Sequence, residues 1–249
     1  VGQLRWFDRS GKAGESVGAP ADYIDFELSP NERTVAVSRV DPESSSGDVW
    51  PIDLARNVST RFTFDPENDA SALWSPDGER VIFRSNRNGN TELFQKRASG
   101  TEPEQLILDA GANLIDSDWA PDGKSIVYTK TSSAAGFDIW VWPIGHDTRP
   151  QLAVHTTRSA FHGRLSPNGR WLAFASDESG DSQVFVQPFP PTGEKRQISP
   201  DGGSEPRWRR DGNELFYIAS RKQLMSVRIP GGEHSTPRSQ PFSSMRTCL

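Results

Sequence analysis

Residues Leu73–Phe94 read LWSPDGERVIFRSNRNGNTELF. The phrase is a bulky apolar residue, a tight turn, an apolar strand, a polar turn and a second strand. Proline pre-sets φ at the second turn position, Asp bonds its own backbone, and Gly takes positive φ without a Cβ clash. Nearly the same phrase occurs four more times: LSPNE from Leu28, WAPDG from Trp119, LSPNG from Leu165 and WRRDG from Trp208. The Asp/Asn positions are Asn31, Asp77, Asp122, Asn168 and Asp211, spaced 43 to 46 residues apart. So narrow a period marks a repeat architecture.

Each unit continues alike. A β-branched or aromatic run follows the turn: TVAVS from Thr34, RVIFRS from Arg80, SIVYT from Ser125, WLAFAS from Trp171, ELFYIAS from Glu214. A polar loop comes next, then a strand opening with a polar residue at Asp48, Glu92, Asp138, Gln183 or Gln223. A more polar strand closes most units, as in STRFTF, PEQLIL, PQLAV and KRQIS. Four short strands per ~45 residues is the signature of a propeller blade. No segment carries a 3.6-residue period with helix caps. The expected fold is all-β: five four-stranded blades plus part of a sixth. The boundaries expected within one domain are 1–22 for a half-blade, then 23–66, 67–111, 112–157, 158–201 and 202–229, with 230–249 as an irregular tail. The turns with Glu32 in place of Gly and Arg210 in place of Pro are expected to be the least regular. QLRWF from Gln3 aligns with the third strand at Gln223. It therefore reads as the outer part of a blade whose first two strands have no segment to supply them, since 231–249 holds no such turn.

Composition narrows the function. Eight Trp and thirteen Phe among 249 residues imply an aromatic core. The net charge is −5 with both signs interspersed, and without a basic stripe a nucleic-acid partner is not expected. One cysteine, Cys248, excludes a disulfide within the chain. No run approaches the ~20 apolar residues of a membrane span, so this segment is not expected to contact a membrane. The chain begins at Val1 and its methionines are Met225 and Met245, which reads as a processed chain or an excerpt of a longer one.

At W-S-P-D-G, the I-x-F strand, S-N-R-x-G and [DE]-[LI]-[WFY], the sequence resembles the TolB-like, or PD40, β-propeller repeats of bacteria over residues 23–229. Eukaryotic-type WD40 fits less well, because the chain has no Trp-Asp dipeptide. The resemblance implies a propeller with a protein or peptide partner in the bacterial envelope, periplasmic or otherwise extracytoplasmic. QLRWFDRSGK (Gln3–Lys12) and TRFTFDPENDASALWSPDG (Thr60–Gly78) also look like the propeller half of certain membrane-anchored Ser/Thr kinases. That likeness implies a sensor role, with kinase activity in a domain this chain does not contain. The alternative is the substrate-gating propeller of a prolyl-oligopeptidase-type serine peptidase, again without the catalytic domain.

No catalytic, cofactor or metal site is expected. GESVG at Gly14–Gly18 matches the nucleophile elbow with Ser16 at its centre, but the strand–elbow–helix context is missing. His146, His155, His162 and His234 lack zinc spacing and are expected to be exposed or loop-capping. The loops at Asn86–Asn90 and Asp177–Asp181 lack the full calcium pattern and read as Asx turns. Trp74, Trp119 and Trp208 recur in register, which a structural role predicts.

Overall fold

The computed structural model describes residues 1–42, 45–132, 136–145 and 148–229, together with the backbone of 246–248. All of its regular structure is β-strand. A two-stranded sheet comes first, β1 (Gly2–Phe7) with β2 (Ala13–Ala21). Five four-stranded antiparallel sheets follow in chain order. Blade one is β3 (Tyr23–Leu28), β4 (Thr34–Val40), β5 (Gly47–Asp53) and β6 (Val58–Ser59). Blade two is β7 (Asp69–Trp74), β8 (Arg80–Asn88), β9 (Asn90–Arg97) and β10 (Gln105–Leu108). Blade three is β11 (Leu114–Trp119), β12 (Ser125–Thr131), β13 (Phe137–Pro143) and β14 (Gln151–Val154). Blade four is β15 (Ala160–Leu165), β16 (Trp171–Ser176), β17 (Gln183–Pro188) and β18 (Arg196–Gln197). Blade five is β19 (Ser204–Trp208), β20 (Glu214–Ile218), β21 (Leu224–Arg228) and β22 (Arg246–Cys248). Within the segment expected to be an irregular tail, β22 thus pairs with β21, Met225 opposite Thr247. Residues 230–245 and 249 lie outside the described residues.

Two compact units form: Val1–Asp8 with Lys12–Ile115, and Arg9–Gly11 with Asp116–Leu249. In the first, Ala36, Val49 and Phe62 of blade one pack against Ala72, Val81, Phe83 and Phe94 of blade two. In the second, Val127, Ile139, Val141, Ala153 and Val154 of blade three cover Leu165, Leu172, Phe174 and Phe185 of blade four. Ala173, Val184, Val186 and Ile198 of blade four then cover Leu215, Tyr217 and Val227 of blade five. The second strands are covered on both faces: Val81, Ile82 and Phe83 are successive residues, and all are fully buried. That is why these strands read as continuous apolar runs without alternation.

The five hairpin turns are one structure repeated. The N–H of Ser29, Ser75, Ala120, Ser166 and Arg209 donates to the carbonyl of Thr34, Arg80, Ser125, Trp171 and Glu214 respectively. Three residues on, the N–H of Glu32, Gly78, Gly123, Gly169 and Gly212 returns to the first residue's carbonyl, at 2.8 Å in every case. The Asn/Asp side chain accepts the N–H two residues ahead, as Asp77 does from Glu79 at 2.9 Å and Asn168 from Arg170 at 3.0 Å. The Ser75 hydroxyl and that Glu79 N–H hold the Asp77 carboxyl below the usual carboxylate range. Contrary to the sequence expectation, the first and fifth turns keep this geometry. Glu32 adopts φ 59° in place of glycine, and Arg210 replaces proline without loss of either backbone bond.

The left-handed residue sets the local cost. Gly169 (φ 69°) has open space around its missing Cβ, so Gly169→Ala tests backbone strain alone. It should lower stability by about 1 kcal/mol, and Glu32→Gly should not lower it; paired denaturant melts check both.

Candidate binding surface on the first strands

The first strand of each blade carries a polar side chain three residues before its end: Asp25, Ser71, Asp116, His162 and Glu205. At three of these the backbone is left-handed, with φ 55° at Ser71, 55° at His162 and 53° at Glu205. Each sits in a register shift of its hairpin, between Ala70 and Leu73, Phe161 and Arg164, and Ser204 and Arg207. A bulge of this kind frees one N–H from the ladder and re-aims it.

The preceding blade supplies the acceptor. In the first unit the Asp25 carboxylate accepts from the Ser71 N–H and hydroxyl, each at 2.9 Å. Its other oxygen accepts the Ser38 hydroxyl of the second strand at 2.7 Å. Arg84 completes this cluster by donating to the Ser71 hydroxyl and to the carbonyls of Leu114 and Ile115. In the second unit Asp116 accepts the His162 N–H at 2.9 Å and the Thr129 hydroxyl at 3.1 Å. The ring nitrogen Nδ1 of His162 in turn accepts the Glu205 N–H at a longer 3.4 Å. A backbone N–H meets Nδ1 in this way when the ring proton is on Nε2. Burial pushes the His162 pKa down, Asp116 and Glu205 pull it up, and Arg164 and Arg207 push it further down.

Two residues further along the same strands lie Asp118, Arg164 and Arg207. The Arg164 guanidinium is buried, donates to the carbonyls of Gly163 (2.9 Å) and Ser117 (3.3 Å), and stands 3.8 Å from Asp118. Burial raises the Asp118 pKa against the opposing pull of Arg164 and Arg207. Glu205 and Arg207 are exposed. The first strands of the second unit therefore present one row of Asp116, His162 and Glu205 and a second of Asp118, Arg164 and Arg207. The first row is acidic, with Asp116 and Glu205 flanking His162, and the second combines Asp118 with Arg164 and Arg207.

The residues singled out in the sequence fall elsewhere or serve the scaffold. Ser16 lies inside β2, opposite Arg5, with its hydroxyl 3.5 Å from the Arg5 guanidinium. Neither the sharp turn nor the helix of a nucleophile elbow is present around it. His162 departs from the expected exposed or loop position by occupying the bulge. His155, exposed as expected, bonds Asp138 at 2.8 Å. His146 and His234 lie outside the described residues. Asp177 accepts the Ser159 N–H at 2.8 Å, and Asn86 accepts the Asn68 N–H at 3.0 Å, as capping side chains do. Trp74 and Trp208 donate their indole N–H to the Glu27 and Arg164 carbonyls of the preceding blades, at 3.3 and 3.0 Å. Among the described residues no three His, Cys, Asp or Glu side chains gather as a metal site would require.

Residues 10–158 match the TolB beta propeller domain family, PD40. The chain belongs to that family. Similar curated proteins are a Tol-Pal system protein TolB of Anaeromyxobacter sp. strain K, 28% identical over 130 residues, and the uncharacterized peptidase YuxL of Bacillus subtilis, 30% identical over 123. The first covers 52% of this chain and 29% of the relative, the second 45% and 18%. The chain thus spans well under half the length of either relative. Among solved structures, TolB from Acinetobacter baumannii superposes with a TM-score of 0.77 at 19% identity, covering 91% of this chain and 57% of that one. An Agrobacterium tumefaciens protein described as a TolB candidate gives 0.78 at 17%, covering 99% and 88%. At these identities the likeness is one of fold.

His162 gives the second unit a pH dependence. Its pKa is lowered on folding, so the unfolded chain binds the proton first. Stability is then fully present above the ordinary histidine value of about 6.5 and falls as pH drops towards the folded pKa. Thermal melts from pH 8 to 5 should show a smaller loss for His162→Asn than for the wild-type chain. Asp116→Ala, which strands the His162 N–H, should cost about 2 kcal/mol at pH 7.

Proposed function

We propose that this chain is a non-catalytic propeller scaffold of the bacterial cell envelope that recognises a protein or peptide partner through the first strands of its blades. The observation that carries the reading is the double row of Asp116, His162, Glu205 and Asp118, Arg164, Arg207. Asp116, bonded to the His162 N–H and the Thr129 hydroxyl, and Arg164, bonded to the Gly163 and Ser117 carbonyls, are held before any partner arrives, and a preorganised polar surface loses less entropy on binding. The TolB membership supports an envelope role, because the named relative is a component of a Tol-Pal system. A sensor role beside a kinase domain rests on Gln3–Lys12 and Thr60–Gly78 alone. The peptidase-associated alternative draws on the partial match to the Bacillus protein, which reaches 18% of that protein's length.

The test is capture of detergent-solubilised envelope proteins on the immobilised chain, beside a Glu205→Lys/Arg207→Glu double variant. The reading predicts a partner retained by the wild-type chain and weakened about tenfold or more by the exchange of the two exposed charges. Equal retention by both proteins contradicts the proposed surface. Hydrolysis of ester or peptide substrates that is lost in Ser16→Ala contradicts the non-catalytic reading.

A further inference from the structure

The polar residue at the opening of the third strand is fastened in blades one to four, and blade two uses a different group to do it. In blade one Asp48 accepts the Thr63 hydroxyl at 3.0 Å. In blade three Asp138 bonds Nδ1 of His155 at 2.8 Å. In blade four Gln183 accepts the Ser199 hydroxyl at 2.6 Å. Each of these partners follows the fourth strand of its own blade. In blade two that place belongs to Asp109, whose carboxylate accepts the Gly111 N–H at 2.7 Å and has nothing to donate to a second carboxylate. Glu92, buried in blade two, takes its hydrogen bond from the opposite side: Nδ2 of Asn88 donates to it at 2.7 Å across the β8–β9 hairpin.

Asn88 is followed by Gly89, and the sequence holds one other Asn-Gly pair, Asn168–Gly169. A glycine nitrogen reaches the side-chain carbonyl carbon of the preceding asparagine with no Cβ in the way. The two pairs share most of their surroundings. Both asparagines are exposed, both glycines have positive φ (100° and 69°), and both have open space around the missing Cβ. Both glycine N–H groups return to the carbonyl three residues back, at 2.9 Å to Asn86 and 2.8 Å to Ser166. The asparagine amides differ. Oδ1 of Asn168 is pinned by two donors, the Ser166 hydroxyl at 2.8 Å and the Arg170 N–H at 3.0 Å. Among the described residues the Asn88 amide is held through Nδ2 alone.

We infer that Asn88 is a site of spontaneous deamidation that unfastens blade two. The Gly89 nitrogen attacks Cγ of Asn88, the N–Cγ bond forms, the Cγ–Nδ2 bond breaks, and ammonia leaves carrying the Gly89 amide proton. Water then opens the cyclic imide, at Cγ to give aspartate or at the main-chain carbonyl to give isoaspartate. Either product removes the Nδ2 donor and sets a carboxylate against buried Glu92, and two carboxylates so close resist joint ionisation. Isoaspartate also adds a methylene to the main chain beside the bridge of Asn88 with Asn90. The amide that clasps Glu92 is therefore a chemical timer in the hairpin of blade two, whereas the turn that pins Asn168 preserves it. The site is separate from the polar rows of the second unit.

The test is ageing of the full chain at mildly alkaline pH, folded and in guanidinium chloride. Trypsin then releases Asn88–Lys96 and Leu165–Arg170 as separate peptides, and mass spectrometry reads the conversion of each amide to an acid. Folding breaks fewer routes to attack at Asn88, so it should slow Asn168 about fivefold more than Asn88, the worth of one extra hydrogen bond. Equal slowing at the two sites, or greater slowing at Asn88, overturns the site. A second arm tests the consequence. Asn88→Asp should lower the melting midpoint at pH 7, and adding Glu92→Gln should restore it by supplying a donor to the new carboxylate. A midpoint unchanged in Asn88→Asp, or not restored by Glu92→Gln, overturns the unfastening of blade two.

Discussion

A propeller blade is a sheet with two apolar faces and no means of covering either alone. Every other feature of this chain serves that constraint. Phe83 and Phe174 lie fully buried because the preceding blade closes over their face. Covering a Phe, Val or Leu side chain contributes about 1.5–3 kcal/mol, so the stacked faces supply the driving force and the blades stabilise one another as nearest neighbours. The turns contribute little burial. They set the register of the two strands, so that the correct side of each reaches the correct neighbour.

Burial alone has no direction, and two sheets packed face to face could slide. The clamps on the first strands remove that freedom. Asp25 holds Ser71, and Asp116 holds His162, each across a blade boundary and each through a left-handed bulge. The indole bonds of Trp74 and Trp208 to the neighbouring Glu27 and Arg164 carbonyls fix the strand end in the same sense. The bonds that lock the scaffold also order the polar rows of the second unit. The proposed recognition surface would therefore draw on residues that also hold the scaffold, Asp116 among them.

The repeat made the scaffold legible. The runs beginning at Thr34, Arg80, Ser125, Trp171 and Glu214 are the second strands, starting at those residues. Turn chemistry, strand composition and spacing are local, and local signals survive in a single sequence. The irregularity expected of the first and fifth turns did not follow, because two backbone bonds and an Asx contact define the turn redundantly. A glutamate can then be held at positive φ, and an arginine can replace proline. The polar rows were not legible. Asp116 meets His162 across 46 residues, through a backbone N–H that only a bulge exposes. Their shared place, three residues before each turn's apolar residue, was the available signal. It required aligning the repeats on the strand rather than on the turn. The two-stranded sheet was half legible: Gln3–Lys12 matched outer strands, but the exposure of Phe26 depends on three dimensions.

The central claim is that side chains of one blade hold the bulged backbone of the next. Amide hydrogen exchange tests it most directly, because Ser71 and His162 lie on edge strands where a free N–H exchanges fast. The account predicts slow exchange at both residues in the wild-type chain. It also predicts selective loss of protection at Ser71 in Asp25→Ala and at His162 in Asp116→Ala, with the second-strand amides of blades one and three still protected. Fast exchange at Ser71 and His162 in the wild-type chain would contradict it.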